Sequence, residues 1–187
     1  MASDMKTRRI RLRDVQPDDL AVIFAWRNTE RFRRLFHHSD RVVDFDTFKD
    51  EFTDDATVRP FQYMVEKIRD GHLIGLAFVH GLDEAHRECC VNIFLDERSE
   101  GKGYAVDVSA LLGVFLLERI GIQRLIAEAF EYNARSIAFM RAWGLTESEL
   151  IRGGRLDMEH AHVRRFVGDV ALLPRMKGLL RRLSLPR

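Results

Sequence analysis

Between Gly103 and Gly121 the chain carries a helical run that is apolar almost all round at its centre, with Val108, Ala110, Leu111, Leu112, Val114, Phe115, Leu116 and Leu117. A surface helix keeps a polar stripe toward water, so this one has to be covered on every side by other elements. Gly121 stops it as a C-cap residue. The 187 residues are enough to bury such a helix, since area scaling gives burial of about 70% of the extended chain's surface without disulfide or metal staples. Hydrophobic residues at 46% and charged residues at 32% exclude global disorder. The longest stretch free of Asp, Glu, Lys and Arg, the twelve residues Gly71 to Leu82, is too short to span a bilayer.

The elements around that helix alternate in kind. Arg9 to Arg13 alternates charge and apolar character, as a half-buried edge strand does, and Gln16-Pro17-Asp18-Asp19 starts a helix. Two short helices follow, carrying Leu20 to Trp26 and then Phe32, Leu35 and Phe36. A third runs from Asp44 to Phe52 with Phe45, Phe48 and Phe52 on one stripe. Strands at Phe61 to Glu66, His72 to Val79 and Glu88 to Leu95 form an antiparallel meander, turning at Arg69-Asp70-Gly71 and Gly81-Leu82-Asp83-Glu84. Then come the long helix, a strand at Gln123 to Phe130 and a helix from Asn133 to Trp143. Strands at Glu149 to Arg152 and His162 to Val167 precede a basic helix in 174–187. This order predicts an α/β (α+β) fold, a mixed and mostly antiparallel sheet flanked by helices, as one domain over 1–187 with its core in 8–167. Residues 88–130 hold a strand-helix-strand crossover.

Cys89 and Cys90 are neighbours on a strand, where successive side chains face opposite ways, so they do not pair. With no apolar segment behind the basic N-terminal run, a reducing, cytoplasmic setting is expected. The close His pairs, His37-His38 and His160-x-His162, lack a third ligand at metal-site spacing, so no metal is expected. Lys and Arg (30) nearly balance Asp and Glu (29), but the cancellation is segmental. Residues 1–36 hold nine basic against five acidic residues, 44–55 one against six, and 163–187 seven against one. The acidic segment favours a cationic acceptor and the basic tail an acidic partner, unless its leucines dock on the domain. Without interleaved aromatics or a recognisable motif, DNA is not expected as a partner.

Chemistry concentrates in Leu95-Asp-Glu-Arg-Ser-Glu-Gly101-Lys-Gly103-Tyr-Ala105, between a strand and the buried helix. Two glycines at such a junction let successive N–H groups point into one concavity at a helix N-terminus, which suits phosphate. A Rossmann fingerprint would need a third glycine at Val106, and a P-loop a Lys followed by Ser or Thr after a four-residue spacer.

Gly101-Lys102-Gly103-Tyr104-Ala105 after Leu95-Asp96 resembles the acetyl-CoA loop of the GNAT N-acetyltransferase superfamily. Trp26-Arg27-Asn28 and Asn133-Ala-Arg-Ser136 with Trp143-Gly144-Leu145 are similar to signatures of its Rim-type branch, the ribosomal-protein N-terminal and amino-sugar acetyltransferases. The resemblance implies transfer of acetyl from acetyl-CoA to a primary amine of a small molecule or protein N-terminus by direct transfer. The alternative is a CoA-binding module of the same fold with little or no catalysis. It assigns Ile93 and Leu95 to the pantetheine arm, the amides of Gly101, Lys102, Gly103, Tyr104 and Ala105 to the diphosphate, and Asn133 to the pantetheine. Arg135 or Arg141 is assigned to the adenosine 3′-phosphate. Glu88 is the expected acid or base relay, and Ser136 and Tyr132 the thiolate donors, although Ser136 also suits a helix cap and Tyr132 packing. Two positions depart from the family. Glu100 replaces the Arg or Gln that opens the loop and is expected to point outward, and Met140 replaces the Tyr that protonates the thiolate. A homodimer stays open as an assembly.

Overall fold

A computed structural model describes residues 5–37, 42–58, 61–152 and 162–184. The chain begins with strand β1 (Ile10–Asp14), helices α1 (Leu20–Arg27) and α2 (Glu30–Phe32), a π-helical turn at Arg33–His37, and helix α3 (Phe45–Val58). Strands β2 (Phe61–Lys67), β3 (Leu73–Asp83) and β4 (Glu88–Leu95) lead to α4 (Tyr104–Val114). Then follow β5 (Arg124–Phe130), α5 (Ala134–Trp143), β6 (Thr146–Ile151), β7 (Val163–Asp169) and α6 (Leu173–Ser184). One seven-stranded sheet forms in the order β1-β2-β3-β4-β5-β7-β6, with β4 and β5 parallel and every other neighbouring pair antiparallel.

β1 does what its alternation predicts. Ile10 and Leu12 are buried on one face, while on the other Arg11 and Arg13 both bond Glu66 of β2, at 2.6 and 2.7 Å. Arg13 also grips Asp19 through both carboxylate oxygens at 2.7 Å, fixing the entry to α1.

The apolar helix is enclosed as expected. Val108, Ala110, Leu112 and Leu116 are fully buried, packed with Ile10, Leu12, Val65 and Val79 of the sheet. It is not one uniform helix, however: α4 widens into a π-helical turn at Phe115–Ile120 before Gly121 ends it at φ 83°. α6 covers its outer side, where Met176 comes so close that a Cβ on Gly113 would lie 2.5 Å from the sulfur. The leucines of the basic tail therefore dock on the domain. α1 and α3 cover the opposite face through Ile23 and Phe48 against Met64, Leu76 and Phe78. Among the described residues no helix is long and apolar enough to cross a membrane.

One expected turn moves. β3 continues through Gly81-Leu82-Asp83, with an irregularity between His80 and Asp83, and the chain reverses at 84–87. Gly81 supplies a positive φ of 58° within the strand, as a bulge needs, rather than at the turn.

Met176→Ala should cost about 2–5 kcal/mol, the range for truncating a fully buried apolar side chain, and urea denaturation would read it; a change within experimental error would mean α6 is not anchored there. The Arg13 hydrogen bonds hold the Asp19 carboxyl below its ordinary value against the effect of burial. A depressed folded-state value gives stability that is complete above about pH 4 and lost as pH falls through the folded value. Arg13→Met should therefore make the acid limb of a stability profile shallower.

Candidate active site

β4 and β5 are joined only from Glu88↔Arg124 to Cys90↔Ile126. β4 then stays with β3 as far as Leu95, and β5 stays with β7 as far as Phe130, so the two strands part in the middle of the sheet. Backbone groups along the parting edges have lost their ladder partners, which leaves them to water or to an inserted ligand. The gap is a cavity of about 150 Å³ with Val91, Ile93, Ala127 and Ala129 on its walls and Met140 behind. It shares Ile93, Asn133, Ser136 and Phe139 with a second cavity of about 320 Å³ that runs over the glycine loop. α2 and the π turn are set along this opening by aromatic packing. Trp26, Phe32 and Phe36 have ring centroids 5.5, 4.8 and 5.8 Å from that of Phe94 on β4.

Gly101 and Gly103 hold φ of 71° and 79°, and Gly103 is the N-cap of α4. These are left-handed conformations that a side chain disfavours. Gly101, Gly103, Tyr104 and Ala105 border the second cavity together with Leu95. Lys102 does not; its carbonyl accepts from Arg9 Nη1 at 2.9 Å.

Glu100 differs from expectation. Its carboxylate does not turn to solvent but sits on the cavity wall, ion-paired to Arg31 of α2 and Arg135 of α5. Glu100 thus bridges two guanidinium groups, and the Glu97 and Asp96 carboxylates also act on Arg31. Arg31 also donates to the Leu95 carbonyl at 2.9 Å. Burial lowers the Arg31 pKa from its ordinary value and nearby Arg135 lowers it further, against the opposite pull of Glu97 and Asp96, and an incoming anion would favour the charged form.

Of the other residues singled out in the sequence, Asn133 and Ser136 border both cavities, and Asn133 caps α5 by accepting the Ser136 N–H at 3.1 Å. Glu88 shares a strand face with Cys90 and Asn92, yet it sits where β4 and β5 are still joined, paired to Arg124 at 3.2 Å and off the cavity walls. Tyr132 is 42% exposed, stacked on Phe130, and donates its hydroxyl to the Arg34 carbonyl at 2.5 Å. Burial raises its pKa. Arg141 is on the side of α5 away from both cavities, paired to Glu147 at 2.7 Å. It is Arg135, the other arginine considered, that reaches the wall. The His37 side chain, His38 and His160 lie outside the described residues.

The carboxylate that does border the gap is Glu128, the one acidic or basic side chain among its described walls. It lies opposite Arg165 of β7 in the ladder and accepts from the Arg165 Nε at 2.9 Å. Glu149 holds the same guanidinium at 3.0 Å. The available signal was a single charge inside the apolar strand Leu-Ile-Ala-Glu-Ala-Phe, just beyond where the two strands part.

The acetyltransferase (GNAT) domain family matches residues 9–146. Spermidine N-acetyltransferase from Vibrio cholerae, solved with CoA and spermine, superposes with a TM-score of 0.78 over 88% of this chain and 98% of that one, at 15% identity. A GNAT-family acetyltransferase from Bacillus anthracis gives 0.75 over 88% and 96%, at 13% identity. No curated protein matches the sequence.

Gly103→Val would force a β-branched residue to φ 79°, which should cost about 1–2 kcal/mol of stability, and would press on the Arg9 guanidinium, whose Nη2 lies 3.5 Å from the position of its Cβ. Titration with CoA should show at least a tenfold weaker affinity; unchanged affinity would remove the loop from the site.

Proposed function

The chain belongs to the GNAT acetyltransferase family, and we propose that it moves acetyl from acetyl-CoA directly to a primary amine, on a small molecule or a protein N-terminus. The observation that carries this is the pair of cavities with shared walls, one over the glycine loop and one between the parted strands and bordered by Glu128. The diphosphate meets the amides of Gly101, Gly103, Tyr104 and Ala105 at the positive end of α4, with Arg31 and Arg135 beside it. The pantetheine arm extends along the edge of β4 that β5 has left, past Ile93 and Leu95, with Asn133 and Ser136 across from it.

The chemistry then needs three things: an unprotonated amine, a donor for the oxyanion and a proton for the thiolate. Glu128 holds the incoming ammonium and takes its proton, with Arg165 fixing the carboxylate. The amine lone pair attacks the thioester carbon, forming the C–N bond while a β4 backbone N–H meets the oxyanion. Collapse breaks the C–S bond and releases CoA thiolate, which takes a proton from the Ser136 hydroxyl; the second proton shed by the new amide nitrogen restores Ser136, and Glu128 passes the first to solvent. This gives Glu128 the role that the sequence suggested for Glu88. Met140 is 6% exposed and cannot donate a proton, which supports Ser136.

The spermine seen with the Vibrio cholerae neighbour shares the primary-amine chemistry.

Release of CoA thiol should be measured with a glycyl peptide, an amino sugar and a polyamine, alongside CoA affinity. Turnover on one of these supports the transferase, whereas CoA binding with none would favour the non-catalytic module. Glu128→Gln should lower kcat about 100-fold with CoA affinity unchanged, and equal turnover would remove it from the mechanism.

A further inference from the structure

Asp107 is a carboxylate in the first turns of the most apolar helix of the chain, with no exposed surface, and it is not on the wall of either cavity. Its Oδ1 accepts from the Thr7 hydroxyl at 2.7 Å and from Arg9 Nε at 3.2 Å, and its Oδ2 accepts from Arg9 Nη2. A buried ion pair is seldom the most stabilising solution, because apolar side chains of similar size would serve packing as well or better. What this pair accomplishes lies on the other side of the guanidinium. Arg9 Nη1 donates to the Lys102 carbonyl at 2.9 Å and Nη2 to the Gly103 carbonyl at 3.0 Å, and the same group lies 5.0 Å from the centre of the Tyr104 ring.

Those two carbonyls belong to the peptides between Lys102 and Gly103 and between Gly103 and Tyr104, whose N–H groups are candidates for the diphosphate. Glycine populates both signs of φ, so the peptide before Gly103 can rotate at little cost, whereas the Gly103 carbonyl also accepts from the Val106 N–H at 3.1 Å in the first turn of α4. A rotated peptide would aim an oxygen at the anion in place of an N–H. Both oxygens are instead engaged by Arg9, which is on the wall of neither cavity.

We infer that Arg9, set in place by Asp107 and Thr7, is a positioning residue that fixes the amide donors of the glycine loop for the diphosphate of the acyl donor without touching it. This rests on the acetyltransferase reading above. Asp107 neutralises Arg9, so the device orients the amides without adding net charge.

The test compares two donors that share a thioester, acetyl-CoA and S-acetylpantetheine, which lacks the diphosphate. The wild-type protein should favour acetyl-CoA, and Arg9→Met should shrink that preference at least tenfold. KM for acetyl-CoA should rise while kcat, KM for the amine and kcat/KM for S-acetylpantetheine hold. Arg9→Lys, which keeps a charge for Asp107 and so protects the fold, should give the same split to a smaller degree. An equal loss with both donors in the two variants, or no change with either, overturns the positioning role. Wild-type protein that neither binds CoA nor uses either donor overturns the acetyltransferase reading itself, a result distinguishable before any variant is made.

Discussion

The parting of β4 from β5 is the constraint on which the rest of the molecule is arranged. A parallel pair needs a crossover, and here the crossover is the glycine loop and α4, so the loop necessarily lies at the end where the two strands separate. The gap survives because each strand keeps a full antiparallel partner on its outer side, β3 for one and β7 for the other. Breaking the ladder between them costs backbone hydrogen bonds, which a strand-like ligand can restore. A sheet that closed completely would have no place for an extended arm.

Charge is distributed to suit that gap. Its walls are mainly apolar apart from Glu128, which Arg165 holds, and beside the glycine loop Glu100 is paired with Arg31 and Arg135. Every arginine named in the site is fixed by a carboxylate or a carbonyl: Arg165 by Glu128, Arg31 by Glu100 and Leu95, Arg9 by Asp107 and two loop oxygens. Fixed partners preorganise donors, whereas mobile cations would collapse onto one another's counterions before a substrate arrived.

Much of the fold could be read from the chain because its signals are local. Alternation at Ile10 and Leu12 marked an edge strand, the charge-free centre of the long helix marked a buried element, and the glycines at 101, 103, 121 and 144 marked bends with positive φ. The carboxylate proposed as the base was harder. Alternation put Glu88 on the same face as Asn92, which is true of the structure, but whether that stretch of strand borders the gap depends on where β4 and β5 stop pairing. Glu128 and Glu88 are equivalent by face and differ by which side of the separation point they occupy. Glu100 misled for a similar reason: a carboxylate beside a diphosphate looks unfavourable until α2 and α5 each bring an arginine to it.

The sequence by itself determined the order and kind of the elements, the loop that suits a phosphate, and the face each strand residue occupies, because these follow from periodicity and backbone preference over a few residues. Only the tertiary structure decided which side chains share the gap. Register and the point of strand separation are set by pairings such as Leu125↔Gly168 and Gly75↔Leu95, and Arg9 finds Asp107 across nearly a hundred residues of chain. Such contacts are chosen by the packing of the whole sheet against its helices, and no window along the chain contains both partners.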